Sequence, residues 1–214
     1  MDLRQLIEAY RPCSEAEARD RELMLYALAH FPDVLTRDNP VCHFTASNWI
    51  TNPGRDKILM VYHNIYNHWA WTGGHADGEA DLRAVALREA KEETGLTELR
   101  SLSDGIFSIQ CLTVDHHVKR GKYVASHLHL DCCYLWEADE DAPLRAKPDE
   151  NAGVRWVPID RVLETANEPV MDIVYAKLNE KLKKAFPPRG KAGPTEGSSP
   201  RSLPPGGKVS ARKG

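Results

Sequence analysis

The chain has 214 residues, 42% of them hydrophobic, and a formal net charge of −3. This length suits one domain or slightly more, and the apolar content is sufficient for a hydrophobic core. The charge does not favour a nucleic-acid partner, and no segment approaches the roughly 20 apolar residues of a membrane span. Five cysteines without a C-x-x-C pair, and an N-terminus without the apolar core of a secretory signal, predict a reducing, cytoplasmic location.

The sequence divides into three predicted segments. Residues 1–36 are expected to form a helical hairpin, because apolar residues recur at helical spacing and Ser14 with Glu17 forms an S-x-x-E capping box. Residues 37–186 are predicted to form the main domain. Residues 187–214 hold six prolines, six glycines and six Lys or Arg, with very few bulky apolar side chains, so this tail is predicted to be disordered.

In the main domain the apolar residues no longer recur at helical spacing but alternate with polar ones, which is typical of β-strands. Strands are predicted, in chain order, over residues 41–51, 57–63, 69–71, 107–116, 123–136 and 154–157. A glycine loop at Gly73 and Gly74 is followed by a predicted helix over residues 81–94, and a closing helix is expected over residues 168–186. Strands interleaved with helices predict an α/β fold class.

The helix over residues 81–94 carries an unusual concentration of acids. Glu89, Glu92 and Glu93 fall within an arc of about 100° that continues the apolar stripe of the helix. Carboxylates so placed repel one another, and partial burial adds a desolvation cost. Arg88 lies four residues before Glu92 and can neutralise only one of them. Oxygen ligands without histidine or thiolate predict Mg²⁺ or Mn²⁺, whereas the alternative interpretation is a solvated acidic face.

The glycine pair before the helix strengthens the metal interpretation. Gly73 and Gly74 would allow the backbone to approach a bound phosphate closely. Metal-bridged phosphate oxygens are a natural ligand for Mg²⁺ that is held by a few carboxylates. Both glycines are therefore predicted to contact substrate.

These residues resemble a known family pattern. The segment from Gly74 to Leu96, which ends in the run R-E-A-K-E-E-T-G-L, resembles the Nudix box, in which a glycine is followed by a glutamate and then by R-E-U-x-E-E-x-G-U, with U aliphatic. The spacing between Gly74 and Arg88 matches the pattern. The one departure is Ala80, which stands where the pattern has its first glutamate. The resemblance covers about residues 41–165.

The Nudix resemblance implies an α/β/α sandwich around a mixed sheet, to which the N-terminal hairpin is added. It also implies Mg²⁺-dependent hydrolysis of a diphosphate bond in a nucleoside diphosphate linked to another moiety, or in a related phosphoanhydride. By position, the implied catalytic residues are Arg88, which would orient the first glutamate, and Glu89 and Glu92. The implied metal ligands are Glu89, Glu92, Glu93 and a later acid, Glu150 or alternatively Asp149. The residue that accepts the proton from water, Glu89 or the later acid, is left open.

Several histidines suggest a second polar surface. His127 and His129 alternate on one face of the strand predicted over residues 123–136, and His75 follows the glycine pair. These three residues are predicted to contact substrate. The alternatives are a second metal site, or the polar outer face of a half-buried strand.

The sequence is therefore compatible with three functions. The first is a Nudix-type pyrophosphohydrolase. The second is an enzyme that resembles isopentenyl-diphosphate isomerase, and the third is a catalytically silent module that binds a ligand. A small-molecule phosphoanhydride is the expected partner, neither nucleic acid nor a membrane is expected, and a homodimer stays open.

Overall fold

A computed structural model describes residues 1–64, 67–119 and 121–187. Its helices are α1 (Leu3–Ala9), α2 (Glu15–His30), α3 (Leu82–Thr94), α4 (Val162–Ala166) and α5 (Pro169–Ala185). Its strands are β1 (Cys42–Thr51), β2 (Lys57–His63), β3 (His68–Ala70), β4 (Thr72–His75), β5 (Arg100–Ser101), β6 (Ser108–Val114), β7 (His117–Lys119), β8 (Lys122–Val124), β9 (His127–Glu137) and β10 (Asn151–Pro158).

Strand β1 lies at the centre of a mixed sheet. It runs parallel to β9 along its whole length and antiparallel to both β2 and β4. Strands β3 and β10 pair with β2, whereas β5 and β6 pair with β9. Strands β7 and β8 form a separate antiparallel hairpin. Only the β1–β9 pair is parallel among the strand pairs of the described residues, and it makes the sheet mixed.

Hydrophobic clusters cover both faces of this sheet. Because side chains alternate along a strand, Phe44 of β1 packs into the cluster that contains α3, whereas Trp49 stacks on Tyr175 of α5 with the ring centroids 5.5 Å apart. Helices α1 and α2 join the first cluster through Ile7 and Met24. The structure therefore confirms the predicted α/β/α sandwich with an N-terminal helical hairpin.

Helix α3 has a defined beginning and end. The side chain of Asp81 accepts a hydrogen bond from the backbone N–H of Ala84 at 3.0 Å, which caps the first turn. Gly95 ends the helix in the left-handed conformation, with a φ of +75° that disfavours any residue with a Cβ. These caps fix the register of the acidic residues, and the helix has the bounds that the sequence pattern predicts to within one residue.

The glycine segment differs from the prediction. Instead of a loop it forms β4, which pairs with residues 45–48 of β1. A Cβ at Gly73 would lie 2.7 Å from the carbonyl oxygen of Ala46, so this pairing needs glycine. The two long strands predicted over residues 107–116 and 123–136 are also shortened, because the β7–β8 hairpin occupies residues between them.

The predicted disordered tail, residues 187–214, lies outside the described residues apart from Pro187. None of the helices in the described part of the chain is long and apolar enough to cross a membrane. All five cysteines are unpaired, in agreement with the absence of a disulfide framework in the sequence.

Candidate functional site

Three carboxylates come together where α3 meets the start of β10. One oxygen from each of Glu89, Glu93 and Glu150 lies within 4.8 Å of an oxygen from each of the other two. Glu93 is buried, Glu89 is half-buried and the side chain of Glu150 is 44% exposed. We refer to these three residues as the carboxylate cluster. Two cations border it: an Arg88 Nη2 atom lies 3.9 Å from Glu89, and Lys147 Nζ lies 3.0 Å from Glu150.

Glu93 is the most buried member of the cluster. Its Oε1 accepts a hydrogen bond from the backbone N–H of Gly73, and its Oε2 accepts one from Nδ2 of Asn151, both at 3.1 Å. Burial raises the pKa of Glu93 to about 8, and the nearby charges of Glu89 and Glu150 act in the same direction. Two neutral donors are therefore too few to stabilise this carboxylate in its charged form.

Glycine at position 74 makes room for Glu89. A Cβ there would lie 2.5 Å from the Glu89 carboxyl carbon, so no larger residue fits without moving this side chain. Burial also raises the pKa of Glu89, and repulsion from Glu92 adds to the effect. The glycine pair thus brings strand β4 against the acids of α3: Gly73 donates to Glu93, and Gly74 leaves space for Glu89.

Glu92 does not belong to the cluster. Its side chain is exposed and forms an ion pair with Lys147, with an Nζ–Oε2 distance of 3.2 Å. This corrects the expectation that all three acids of the helix point inward. Lys147, which sequence reasoning did not single out, bridges Glu92 and Glu150 from the loop before β10. No sequence motif marks a lysine in this position.

The donor set of the cluster fits a hard divalent cation. It offers carboxylate oxygens alone. Beside Glu93, the buried amide oxygen Oδ1 of Asn151 has no hydrogen-bond partner in the part of the chain that the structure describes. Oxygen ligands of this type favour Mg²⁺ or Mn²⁺ over softer metals. A cation there would also offset the repulsion that raises the pKa values of Glu89 and Glu93.

The predicted substrate-contacting histidines gather elsewhere. His75, His127 and His129 line a cavity of about 450 Å³, together with His43 of β1. The ring centroids of His43 and His129 are 5.0 Å apart, and those of His75 and His129 are 4.8 Å apart. Because Gly74 faces α3, the next residue of the strand, His75, faces the opposite side of the sheet. The structure therefore separates these histidines from the carboxylate cluster by the thickness of β4.

Burial keeps two of these histidines neutral. It lowers the pKa of His129 to about 2, with repulsion from His75 and His43 in the same direction, and it also lowers the pKa of His43. Sequence reasoning did not identify His43. It reaches the cavity because β1 and β9 are parallel neighbours with His43 beside His129, and no local pattern encodes that pairing.

Comparisons with known proteins identify the family of this chain. A family model described as the NUDIX domain matches residues 43–178. This chain belongs to the Nudix family. It is an enzyme of the pyrophosphohydrolase type. No curated protein matches its sequence.

Three solved structures are similar to this chain. The Nudix hydrolase RenU from M. smegmatis has a TM-score of 0.50 and 20% identity, covering 68% of this chain and 88% of its own. A C. elegans Ap4A hydrolase in a binary complex has a TM-score of 0.49 and 20% identity, covering 65% of this chain and 98% of its own. A NUDIX-family hydrolase from Clostridium perfringens has a TM-score of 0.48 and 22% identity, covering 66% and 97%.

The Nudix box of this chain can now be placed on the structure. It begins on β4, continues through an exposed turn and fills α3. Ala80, where the box pattern has glutamate, is exposed in that turn. The neighbouring Glu79 accepts a hydrogen bond from the backbone N–H of Asp81 at 3.1 Å, so a carboxylate still supports the turn before the helix.

Proposed function

We propose that this Nudix enzyme hydrolyses a phosphoanhydride bond with Mg²⁺ or Mn²⁺ as its cofactor, in a nucleoside diphosphate linked to another moiety or a related small molecule. The observation that carries the proposal is the buried carboxylate of Glu93. It lies beside Glu89 and Glu150, and its pKa is raised although two neutral groups, the backbone N–H of Gly73 and Nδ2 of Asn151, donate hydrogen bonds to it. Glu89, Glu93 and Glu150 would hold a divalent cation, which would offset their mutual repulsion and favour the binding of an anionic diphosphate.

Each residue of the carboxylate cluster has a role in the proposed hydrolysis. Glu93 is held rigidly by Gly73 and Asn151, as expected of a principal metal ligand. Glu89 and Glu150 complete the ligand set, and one of them accepts the proton from the attacking water. Arg88, 3.9 Å from Glu89, orients that carboxylate. A bound cation would neutralise the negative charge of the phosphate oxygens and would lower the pKa of the attacking water.

The five unpaired cysteines support a reducing, cytoplasmic compartment for this reaction.

A substrate panel tests the proposal. The purified full chain, with Mg²⁺ or Mn²⁺, is offered nucleoside diphosphate sugars, ADP-ribose, dinucleoside polyphosphates, nucleoside triphosphates and isopentenyl diphosphate. We expect metal-dependent release of a phosphate or nucleotide product from at least one phosphoanhydride, and none after chelation of the metal.

The same panel separates the alternatives. Conversion of isopentenyl diphosphate into its allylic isomer, without hydrolysis of any compound, would favour the isomerase-like function. Saturable binding of a compound without turnover would favour a silent module. Either result would overturn the proposed hydrolysis.

A further inference from the structure

The histidines on the far side of β4 form a compact group of nitrogen donors. One ring nitrogen from each of His43, His75 and His129 lies within 4.8 Å of one from each of the others. The three residues come from three different strands of one sheet, β1, β4 and β9, which are hydrogen-bonded to one another through β1. We refer to them as the histidine cluster. One sheet thus holds three imidazoles together, and the candidate ligand atoms of this cluster are all ring nitrogens.

Two of these imidazoles have a buried ring nitrogen without a partner. The Nε2 atoms of His43 and His129 are inaccessible to solvent and have no hydrogen-bond partner among the described residues, and His43 as a residue is only 4% exposed. A buried polar atom without a partner costs about 1–3 kcal/mol. Two such atoms in one cluster need a reason, because buried polar groups are otherwise almost always satisfied.

The tautomer of His43 indicates whether its unpartnered Nε2 atom is a donor or an acceptor. Its Nδ1 lies 3.4 Å from the carbonyl oxygen of Asn39, and since a carbonyl can only accept, Nδ1 carries the proton. The unpartnered Nε2 therefore presents a lone pair. A histidine whose Nδ1–H is held by a backbone carbonyl and whose Nε2 lone pair is unused has the arrangement typical of a metal ligand.

We propose that His43, His75 and His129 bind a divalent transition-metal cation of the Zn²⁺ type, at a site distinct from the carboxylate cluster. Three nitrogen donors suit Zn²⁺ and exclude Mg²⁺, which requires oxygen ligands. Zn–N bonds of about 2.1 Å in a tetrahedron place the nitrogens about 3.4 Å apart, so small side-chain rotations from the present spacing close the site.

The fourth ligand position faces the cavity of about 450 Å³ that the cluster lines. Three protein ligands with an open position are typical of sites that exchange water for a substrate group. His127 extends this wall, with its ring centroid 4.8 Å from that of His43 and its Nδ1 held by the carbonyl oxygen of Ala125 at 2.8 Å. The open position therefore suits a water molecule or another exchangeable oxygen ligand.

Metal binding to the full chain without an affinity tag provides the test. The protein is stripped with a chelator, dialysed into excess Mg²⁺ to saturate the carboxylate cluster, and titrated with Co²⁺ and Zn²⁺. We expect one equivalent of Co²⁺ to bind with the intense visible absorption of a tetrahedral nitrogen site, and Zn²⁺ to displace it.

Matched variants locate the binding. His75→Ala and His129→Ala are expected to weaken Zn²⁺ affinity at least about tenfold. His116→Gln, which removes an exposed histidine outside the cluster, and Glu93→Gln, which alters the other site, are expected to leave it unchanged. Because His75 is only half-buried, its variant is informative even if His129→Ala unfolds, and thermal melting checks both.

The absence of Co²⁺ binding in excess Mg²⁺ would overturn the proposal. So would a folded His75→Ala variant that binds Zn²⁺ as tightly as the parent chain.

Discussion

Glu17 of α2 and Glu93 of α3 are both buried carboxylates, yet their surroundings differ in charge. Glu17 is 0% exposed and Glu93 is 5% exposed. The pKa of Glu17 is lowered to about 2, although burial raises it, because the hydrogen bond from the Cys13 N–H and the contacts with Lys181 and Tyr10 outweigh burial. The pKa of Glu93 is raised to about 8, because burial is the largest influence there and two other acids reinforce it.

The partners of Glu17 explain its low pKa. Two ammonium groups of α5 contact it, with Lys181 Nζ at 2.9 Å and Lys177 Nζ at 3.3 Å. Tyr10 Oη and Ser108 Oγ donate further hydrogen bonds at 2.7 Å and 2.9 Å. The charge of Glu17 is therefore compensated within the chain, and the carboxylate ties the N-terminal helices to α5.

The difference shows that burial of an acid does not by itself indicate a function. A buried acid with its own counter-charges contributes to the fold, whereas a buried acid among other acids requires an external cation to become charged. The variants Glu17→Gln and Glu93→Gln each change one side of this comparison, and a pH series and Glu92→Gln sharpen it.

Glu17→Gln is expected to have the largest effect. The variant removes the Glu17 counter-charge from two half-buried ammonium groups, and the free energy of unfolding should fall by about 3–5 kcal/mol in urea denaturation. Turnover per folded molecule should not change. Glu22→Gln is the matched control: Glu22 lies on the same helix in an exposed ion pair with Arg19, and its loss should cost less than about 1 kcal/mol. Equal losses for both variants would contradict a structural role for Glu17.

Glu93→Gln is expected to lower turnover at least about a hundredfold, which corresponds to about 2.7 kcal/mol in the activation free energy. The metal-free variant should be as stable as the parent chain or more stable, because a neutral amide suits this site better than a charged carboxylate. Asn151 can turn its unpartnered Oδ1 toward the new amide. Steady-state kinetics on the identified substrate, with thermal melting, provides the measurement. An unchanged rate would remove Glu93 from the site.

A pH series sharpens the comparison further. The pKa of Glu17 is about 2 in the folded chain and near its ordinary value of 4.5 in the unfolded chain. Its contribution to stability is therefore complete above pH 5 and is lost as the pH falls. The difference in unfolding free energy between the parent chain and Glu17→Gln should shrink by about 2 kcal/mol between pH 5 and pH 3. Urea denaturation at each pH measures this difference, and a constant difference would contradict the lowered pKa.

Local patterns account for much of the fold. Helix α3 is predictable because its cap residues, Asp81 and Gly95, and its apolar stripe are adjacent in the sequence. The glycine pair was predicted as a loop, since glycine is rare in strands, and only the close pairing of β4 with β1 explains it. Half of the S-x-x-E capping box is present, because Ser14 Oγ accepts from the N–H of Glu17 at 3.2 Å.

Residues that meet through distant pairing could not be predicted. The side chain of Glu17 was expected to return to Ser14, but it reaches lysines 160 or more residues later in the chain. His43 and Asn151 likewise gain their positions from strand pairing, in one case with β9 and in the other with β2. The sequence thus predicts that acids of α3 lie at the site. The residues that contact them from other strands depend on the order of strands in the sheet, and residue spacing within one segment does not encode that order.

Glu92→Gln has the smallest expected effect. It distinguishes the metal-binding role that the Nudix resemblance implies for Glu92 from the exposed position that the structure gives it. The Nudix resemblance implies that Glu92 shares in metal binding, whereas its side chain is exposed and paired with Lys147. An exposed ion pair contributes at most about 1 kcal/mol, so stability should barely change. Turnover should fall less than about tenfold, compared with at least about a hundredfold for Glu93→Gln, when both variants are assayed over a range of Mg²⁺ concentrations. A loss as large as that of Glu93→Gln, which added Mg²⁺ partly restores, would place Glu92 among the metal ligands and would mean that Lys147 releases it when the cation binds.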